Sequence, residues 1–375
     1  MKVIADDKIP FLKGVLESRN ISVEYLPGRQ TTADAARDAD ALITRTRTKC
    51  NAGLLDGSQV KFIATATIGF DHIDTDYVEK HNIAWTNAPG CNSSSVAQYM
   101  TSLLLNLAVK KQFALSGKVL GVIGVGHVGK KVAAVGRALG MNVLLNDPPR
   151  ARAEGGEGFS AIDKIIEQAD IITVHVPLEY AGSDPTFHMI DRSFINRLRR
   201  DQYLINASRG EVVDNAALYD ALAVGSLAGA SLDVWENEPD IDLHLLNLLD
   251  YATPHIAGYS TDGKANGTSM SVNALARFFQ LGPELESWYP ENVPLPEKTV
   301  LTLPEHGTLE ERLLAVVAGS YNIAEDTAAL RAHPENFEKL RGNYPLRREF
   351  HNFTVRNASG TIAEILQKLG FKLEY

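Results

Sequence analysis

Short apolar runs alternate with polar, turn-rich segments along the first 92 residues. The runs are rich in β-branched residues, and they are Val3–Ala5, Val23–Leu26, Ala41–Thr44, Phe62–Thr65 and Ile83–Thr86. Such runs are typical of buried parallel strands, and helical segments between them favour a sheet covered by helices. We therefore expect an α/β domain with a parallel sheet at the start of the chain.

A long helix and a βαβ unit follow this first domain. Ser93, Ser94 and Ser95 can cap a helix that runs to about Lys111, with apolar positions at helical spacing. Residues 118–147 then contain an apolar run from Val119 to Val125, a helical stretch and a second apolar run from Val143 to Leu145. This order of elements predicts a second parallel sheet.

Three glycines stand between the first strand and the helix of this unit, at Gly124, Gly126 and Gly129. In this pattern the first glycine permits a tight turn, the second lets backbone amides approach a pyrophosphate, and the third lets the helix pack close to the strand. His127 and Val128 lie between them and open the helix, whose N-terminus favours an anion. A glycine turn alone is common in loops, but the strand and the helix around it favour a dinucleotide site.

An acidic residue, Asp147, ends the second strand of the unit. An acid at this place bonds the adenosine ribose and repels a 2′-phosphate, so the sequence favours NAD over NADP. Arg150 is a competing signal, because an arginine near this position can accept a 2′-phosphate. We give Asp147 the greater weight and predict NAD as the cofactor.

The alternation continues to about residue 282 and then restarts after a proline-rich stretch. Strands are expected at Ile171–Val174, Tyr203–Asn206, Ala228–Leu232 and Ala252–Pro254, and a helix from Lys264 to Gln280 is expected to return to the first domain. After Pro290, Pro294 and Pro296, the pattern predicts strands at Val300–Leu303 and Phe353–Val355 and helices at Leu309–Val317 and Ile362–Leu369. We predict a substrate domain (1–92 plus 257–282), a nucleotide-binding domain (93–256) and a C-terminal dimerisation domain (283–375). The alternatives for the C-terminal domain are a regulatory module or an extension without a function of its own.

Composition narrows the possible functions. The 375 residues are 45% hydrophobic and 22% charged, as in an ordinary globular protein, and the net charge of −9 argues against nucleic acid as a partner. Cys50 and Cys91 form neither a metal-binding spacing nor a disulfide framework, and they suit a reducing cytosol. No apolar run approaches the length of a membrane span, and the first ten residues do not resemble a signal peptide. We expect a cytoplasmic protein without a metal site or a membrane partner.

Arg209, Glu238 and His255 follow the nucleotide-binding motif and carry candidate chemistry. Oxidation of a secondary alcohol beside a carboxylate needs a base for the hydroxyl proton and a cation for the carboxylate. Histidine is a base near neutral pH, and a carboxylate on its other ring nitrogen fixes the tautomer. Arginine matches a carboxylate bidentately. Each residue alone has an ordinary structural interpretation, whereas the three together beside a nicotinamide fold favour a dehydrogenase.

The chain resembles the D-2-hydroxyacid dehydrogenases over roughly residues 1–282. The motifs that carry this resemblance are His175–Leu178 (HVPL), Ile205–Asp214 (INASRGEVVD), Leu232–Pro239 (LDVWENEP) and Thr253–Tyr259 (TPHIAGY), behind the glycine motif. The resemblance implies an α/β fold of two doubly wound parallel-sheet domains, a Rossmann NAD domain and a flavodoxin-like substrate domain, with a small α+β C-terminal domain. It also implies a homodimer.

The resemblance assigns roles to matching positions. It implies that His255 donates and accepts the proton, that Glu238 is its partner and that Arg209 anchors the substrate. The implied cofactor contacts, besides the glycine motif and Asp147, are Val176, Asp233 and Gly258, and the implied substrate contacts are Thr46, Thr67 and Tyr259. Three positions depart from the family pattern: Ser208 replaces a frequent cysteine, Thr46 a frequent serine and Val176 a frequent threonine.

The expected substrate is a small phosphorylated 2-hydroxy acid, which requires cations beyond Arg209. Arg45, Arg47 and Lys49 are candidates, as are Arg347 and Arg348 if the tail of a partner subunit reaches the site. Two alternatives stay open. With 3-phosphoglycerate as substrate, the tail would be a regulatory ligand-binding domain, and in the other alternative the chain would be an NADH-sensing binding protein.

Overall fold

The computed structural model describes residues 1–374, and its backbone forms two compact units. The first unit comprises Met1–Asn92 and Ser260–Pro294, and the second comprises Ser93–Tyr259 and Leu295–Tyr375. By this division the C-terminal segment belongs to the same unit as the nucleotide motif. The three-domain division of the sequence analysis stays a prediction about how the chain folds and functions.

The first unit contains a five-stranded sheet in which every pairing is parallel. Its early elements are β1 (Lys2–Asp6), β2 (Ser22–Leu26), α1 (Ala33–Ala36), β3 (Ala41–Thr44), α2 (Ala52–Leu55), β4 (Phe62–Thr65), α3 (Thr75–Lys80) and β5 (Ala84–Thr86). The strand order β2-β1-β3-β4-β5 is that of flavodoxin-like folds. The apolar runs predicted these strands to within two residues, and the central strands β1, β3 and β4 are the ones that are almost completely buried.

The second unit contains a six-stranded parallel sheet. Its elements begin with the long helix α4 (Ser93–Lys111), β6 (Val119–Ile123), α5 (His127–Ala138), β7 (Asn142–Asn146), α6 (Pro148–Glu154), α7 (Ile162–Gln168) and β8 (Ile171–Val174). They continue with α8 (Arg192–Asn196), β9 (Tyr203–Asn206), α9 (Asn215–Ala223), β10 (Gly229–Leu232), α10 (Leu243–Leu248) and β11 (Tyr251–Ala252). The order β11-β10-β9-β8-β6-β7 reverses at β6, and this switch point is where doubly wound sheets bind nucleotides.

The remaining elements divide between the two units. Helices α11 (Thr261–Phe279) and α12 (Pro283–Glu286) belong to the first unit, as the sequence predicted for the returning helix. The C-terminal segment adds β12 (Val300–Thr302), α13 (Leu309–Ala318), α14 (Ile323–Ala332), α15 (Phe337–Gly342), β13 (Thr354–Arg356), α16 (Gly360–Leu369) and β14 (Lys372–Glu374). Its three strands form a parallel sheet in the order β12-β13-β14.

The core of the C-terminal segment is continuous with that of the nucleotide-binding sheet. Leu313, Val316 and Val317 on α13 are fully buried in one apolar cluster with Leu103 and Leu107 of α4. The apolar face of α13 therefore has its partner within the chain. In residues 1–374, no helix is both long enough and apolar enough to cross a membrane.

Candidate active site

The predicted cofactor and catalytic residues of the second unit follow the carboxyl ends of its strands. The glycine motif follows β6, Asp147 follows β7, Val176 follows β8, Arg209 follows β9, Asp233 and Glu238 follow β10, and His255 follows β11. Because the strands are parallel, these ends lie along one edge of the sheet. Residues that are far apart in the sequence are thereby brought to a common edge.

The three glycines of the motif have the environments that their predicted roles require. Gly124 has a φ of +84°, and a Cβ atom on it would lie 2.5 Å from the carbonyl oxygen of His175. A Cβ on Gly129 would lie 1.9 Å from the carbonyl oxygen of Gly124. A Cβ on Gly126 would meet nothing within 4 Å. The loop is therefore closed on the protein side and open where a pyrophosphate would approach.

Helix α5 starts at this open glycine. Gly126 is its N-cap and provides no side-chain cap, while the exposed His127 and the half-buried Val128 form the first turn. Uncapped N-terminal amides and the positive end of a helix dipole favour a bound anion. The residues present thus fit the phosphates of a dinucleotide, which would supply the hydride acceptor.

Asp147 and Arg150 together define the loop after β7. The carboxylate of Asp147 accepts hydrogen bonds from the backbone amides of Val125 (2.8 Å) and Arg150 (3.0 Å). The guanidinium of Arg150 pairs with both carboxylate oxygens of Glu154 at 2.7 Å and donates to the carbonyl oxygen of Val125 at 2.6 Å. Since Arg150 is held by its own helix, the arrangement agrees with the preference for NAD that Asp147 predicts.

The loop after β8 contains a neutral histidine. His175 is buried, and burial lowers its pKa to about 3. Its Nε2 lies 2.9 Å from the hydroxyl of Thr173, and its Nδ1 has no partner among residues 1–374. Val176, the next residue and a predicted cofactor contact, is half-buried, as is Gly258. These two roles stay predictions.

His255 and Glu238 form a hydrogen-bonded pair. His255 Nδ1 lies 2.8 Å from Glu238 Oε2, and Glu238 Oε1 accepts the backbone amide of Trp235 at 3.0 Å. Burial acts to raise the pKa of Glu238, but the hydrogen bond and charge of His255, the backbone amide of Trp235 and the charge of Arg341 together lower it, so the net shift is downward. An ionised carboxylate only accepts hydrogen bonds, so Nδ1 carries the proton and Nε2 is the basic nitrogen.

Asp233 holds the turn on which His255 lies. Its carboxylate accepts the hydroxyl of Thr253 (2.7 Å) and the backbone amides of Ile256 (2.7 Å) and Ala257 (2.9 Å). Its carbonyl oxygen accepts the amide of His255 at 2.7 Å. His255 has a φ of +58°, a left-handed conformation that costs free energy in a non-glycine residue. The prediction made Asp233 a cofactor contact, and the structure adds that its carboxylate fixes this strained turn.

Arg209 follows β9 in a loop that contacts the Glu238 loop. A Cβ on the neighbouring Gly210 would lie 1.9 Å from the carbonyl oxygen of Trp235, so the two loops touch through their backbones. The side chain of Asn206 donates to the carbonyl oxygen of Arg209 at 2.8 Å, and Arg209 is half-buried. The predicted cation and the acid that pairs with the predicted base are thus on adjacent loops of one unit.

The predicted substrate contacts divide between the units. Thr46 is exposed, and Thr67 is half-buried with its hydroxyl donating to the carbonyl oxygen of Gly69 at 2.8 Å; both belong to the first unit. Tyr259 is half-buried in the second unit, together with Arg209, Glu238 and His255. A shared substrate role for the two sets stays a prediction.

Two further side-chain contacts near Glu238 did not emerge from the sequence. His188 Nε2 lies 2.6 Å from Glu236 Oε1, and Glu236 Oε2 accepts the amide of Asn215 at 2.9 Å. The alternating acids Glu236 and Glu238 could have signalled two partners. Arg341 of the C-terminal segment lies 3.9 Å from Glu238, measured from Nη1 to Oε2, and no local sequence pattern indicates it.

The paired arginines of the tail do not have the role considered from the sequence. Arg347 is buried, donates to Gln98 (2.9 Å), Ser95 (2.6 Å) and Ile256 (3.2 Å), and lies over the ring of Tyr321. Arg348 is also buried. Both side chains are part of the packing within their own chain, so the hypothesis that they reach a partner's site is wrong.

Comparisons with known proteins agree with this fold and with a nucleotide-binding site at the carboxyl edge of the six-stranded sheet. Residues 100–257 match the family model "D-isomer specific 2-hydroxyacid dehydrogenase, NAD binding domain", and residues 293–370 match a domain of unknown function, DUF3410. A D-lactate dehydrogenase from Aquifex aeolicus, solved with NAD and lactic acid, is 28% identical, covers 76% of this chain and 100% of its own, and superposes with a TM-score of 0.63. The fold and the residues at the sheet edge define an NAD-dependent 2-hydroxyacid dehydrogenase.

Relatives of full length narrow the assignment. An erythronate-4-phosphate dehydrogenase from Bacteroides fragilis is 50% identical over 93% of this chain and 97% of its own. Another from Proteus mirabilis is 42% identical over 99% of both chains. The chain belongs to the erythronate-4-phosphate dehydrogenase family.

Two glycine substitutions separate stability from cofactor binding. We expect Gly126→Ala to fold normally but to bind NAD at least tenfold more weakly, because its methyl group enters the open phosphate side of the loop. Gly129→Ala should lose both stability and NAD binding, since its methyl group overlaps the backbone of Gly124. Thermal unfolding and fluorescence titration with NADH would measure both. Equal NADH affinity in Gly126→Ala and the unmodified protein would contradict this account of the loop.

Glu238→Gln tests the pair with His255. Without the carboxylate, the imidazolium of His255 is less stable, so the acid limb of kcat/KM for alcohol oxidation should move to lower pH. We expect kcat to fall by roughly a hundredfold or more, because the ring loses its orienting partner. Asp240→Asn, an exposed acid two residues away, is the control and should change neither quantity. A Glu238→Gln variant with an unmoved limb would rule out this role.

Proposed function

We propose that the protein oxidises 4-phospho-D-erythronate at C2 to (R)-3-hydroxy-2-oxo-4-phosphobutanoate with reduction of NAD, in the biosynthesis of pyridoxal 5′-phosphate. The observation that carries the proposal is the His255–Glu238 pair, 2.8 Å apart, on the carboxyl edge of a nucleotide-binding sheet. The names of the full-length relatives support the choice of substrate.

The proposed chemistry needs one base and one hydride acceptor. His255 Nε2 would take the proton of the C2 hydroxyl, and a bound NAD would supply the acceptor for the C2 hydride, so that the alcohol would become a ketone. Glu238 holds Nδ1–H and stabilises the positive charge that the ring gains. Arg209 binds the C1 carboxylate, for which its planar guanidinium is suited. In the reverse direction the imidazolium returns the proton.

The first unit contains cations suited to the phosphate. Arg45 follows β3, and Lys264 lies in the first turns of α11. Burial lowers the pKa of Lys264, and repulsion from the positive charge of Arg45 lowers it further, so each of the two cations experiences the charge of the other. An anion between them would relieve the repulsion, and we propose the substrate phosphate for this place.

The other candidate cations are more exposed to solvent. Arg47 and Lys49 are exposed and line an open cavity of about 960 Å³ together with Arg29 and Thr46. An exposed cation in high dielectric gives less binding free energy than a partly buried one. The half-buried Arg45 and Lys264 are therefore the stronger candidates for the phosphate.

The proposal extends to the oligomeric state and the cellular location of the protein. We propose a homodimer in the cytoplasm, with the C-terminal segment as the dimerisation region. Leu295 and Leu346 of that segment are 59% and 44% exposed, and such apolar side chains could be covered by a partner. Cys50 and Cys91 are buried and form no disulfide within residues 1–374, which suits a reducing compartment.

The substrate proposal is tested by kcat/KM with NAD for 4-phosphoerythronate, unphosphorylated erythronate and 3-phosphoglycerate, with a 2-oxo acid present to recycle bound NADH. We expect a preference of roughly a hundredfold or more for 4-phosphoerythronate, which is about 2.7 kcal/mol in transition-state free energy. Preference for 3-phosphoglycerate would overturn the substrate but keep the reaction. No turnover of any acid would favour an NADH sensor.

Lys264→Gln tests the phosphate site. We expect the KM for 4-phosphoerythronate to rise about tenfold, corresponding to about 1.4 kcal/mol, because a cation beside the phosphate is lost. The KM for unphosphorylated erythronate should not change. Lys61→Gln, at the amino end of β4 in the same unit, is the matched control. An equal rise in KM for both acids would show that Lys264 does not recognise the phosphate.

A further inference from the structure

Helix α15 of the C-terminal segment carries an arginine to the Glu238–His255 pair. Phe337, at the start of the helix, is buried in the apolar cluster that includes Trp235 and Leu232 of the β10 region, and Leu340 packs against the same cluster. Arg341 is four residues after Phe337 and therefore lies on the same face of the helix. The packing of α15 thus fixes where Arg341 points.

Arg341 contacts two residues of the candidate active site. Its Nη1 lies 3.9 Å from Glu238 Oε2, the same oxygen that bonds His255 Nδ1. Its guanidinium carbon lies 5.6 Å from the centre of the Tyr259 ring, within the range of a cation–π contact. Its side chain is 19% exposed, so these charges interact with little screening by solvent.

One donor of Arg341 is left unused. Its Nε is buried and has no hydrogen-bond partner within residues 1–374. A buried donor without an acceptor costs free energy, and an arginine kept only for packing is replaced at no such cost by an apolar residue. The arginine is therefore more than a structural side chain.

We propose that Arg341 is a positioning residue through which the C-terminal segment sets the charge balance of the Glu238–His255 pair. Arg341 keeps Glu238 ionised and disfavours the imidazolium of His255, so it holds the ring in the neutral, proton-accepting form. The C-terminal segment thereby acts on the reaction as well as on the packing of the fold. The inference rests on the proposed roles of Glu238 and His255 in hydroxy-acid oxidation.

Several charged groups face this pair, and their effects have opposite signs. His255 and Arg341 both lower the pKa of Glu238, against the effect of burial. Tyr259 and Glu238, and to a smaller extent Glu338, raise the pKa of Arg341, also against burial. Asp233 stabilises positive charge on His255, since His255 lowers the pKa of Asp233 in return. Arg341 is the cation among these groups that destabilises the imidazolium.

The test compares Arg341→Gln with Arg341→Lys and with Lys339→Gln, an exposed cation on the same helix. In Arg341→Gln we expect the pKa of His255, read by NMR of the labelled ring, and the acid limb of kcat/KM to rise by about half a pH unit or more. In Arg341→Lys both values should return most of the way to those of the unmodified protein. Lys339→Gln should leave both values unchanged. Arg341→Met replaces the glutamine variant if that variant does not fold.

Two results would overturn the inference. One is a fall in kcat at every pH with an unmoved limb and an unmoved His255 titration, which would indicate a structural role alone. The other is an Arg341→Lys variant in which the pKa of His255 and the acid limb of kcat/KM move as far as they do in Arg341→Gln. The His255 titration needs no turnover, so it decides the role of Arg341 even if 4-phosphoerythronate is not the substrate.

Discussion

The parallel pairing of β6 to β11 is the constraint on which the rest of the structure depends. Parallel strands put all their carboxyl ends at one edge, and every predicted cofactor or catalytic residue of this unit follows such an end or, like Gly258, lies just beyond the last one. The sheet is buried on both faces, so its strands cannot shift without exposing the apolar core. The positions of the candidate catalytic residues are therefore set by the packing of the strands in the apolar core.

The edge itself is held by buried hydrogen bonds. Asp233 satisfies three donors of the turn that carries His255, and the backbone amide of Trp235 fixes one oxygen of Glu238. Burial acts to raise the pKa of both carboxyls, which is the cost of holding charge inside the protein. The pKa of Asp233 stays raised, whereas that of Glu238 is lowered by His255 and Arg341. The two acids thus have different roles: Asp233 stabilises the turn that carries His255, and Glu238 forms a hydrogen bond with the imidazole of His255.

Much of the fold was predictable from the sequence because its strands are buried and short. Apolar runs marked nearly every strand, and the three glycines have the steric surroundings that the motif predicts for a tight turn, an open loop and a close helix–strand contact. The pairing of His255 with Glu238 was predicted from residue chemistry and family resemblance. These successes share a cause, since each depends on local pattern or on a motif.

What the sequence did not reveal depends on tertiary packing. Arg347 and Arg348 were candidates for a partner's phosphate site, yet both are buried, Arg347 against α4, and composition carries no signal of that packing. Arg341 lies far along the chain from Glu238, and only the docking of Phe337 brings them together. His188 meets Glu236 for a similar reason, because the segment before α8 lies beside the β10 loop.

We propose that His255 removes a proton while hydride leaves C2 of a phosphorylated 2-hydroxy acid for NAD. The most direct measurement is a single turnover with 4-phosphoerythronate carrying deuterium at C2. The account predicts that the label appears at C4 of the reduced nicotinamide, and that His255→Gln suppresses this transfer while NADH binding persists. Reduced cofactor without the label, or no transfer by the unmodified protein, would contradict it.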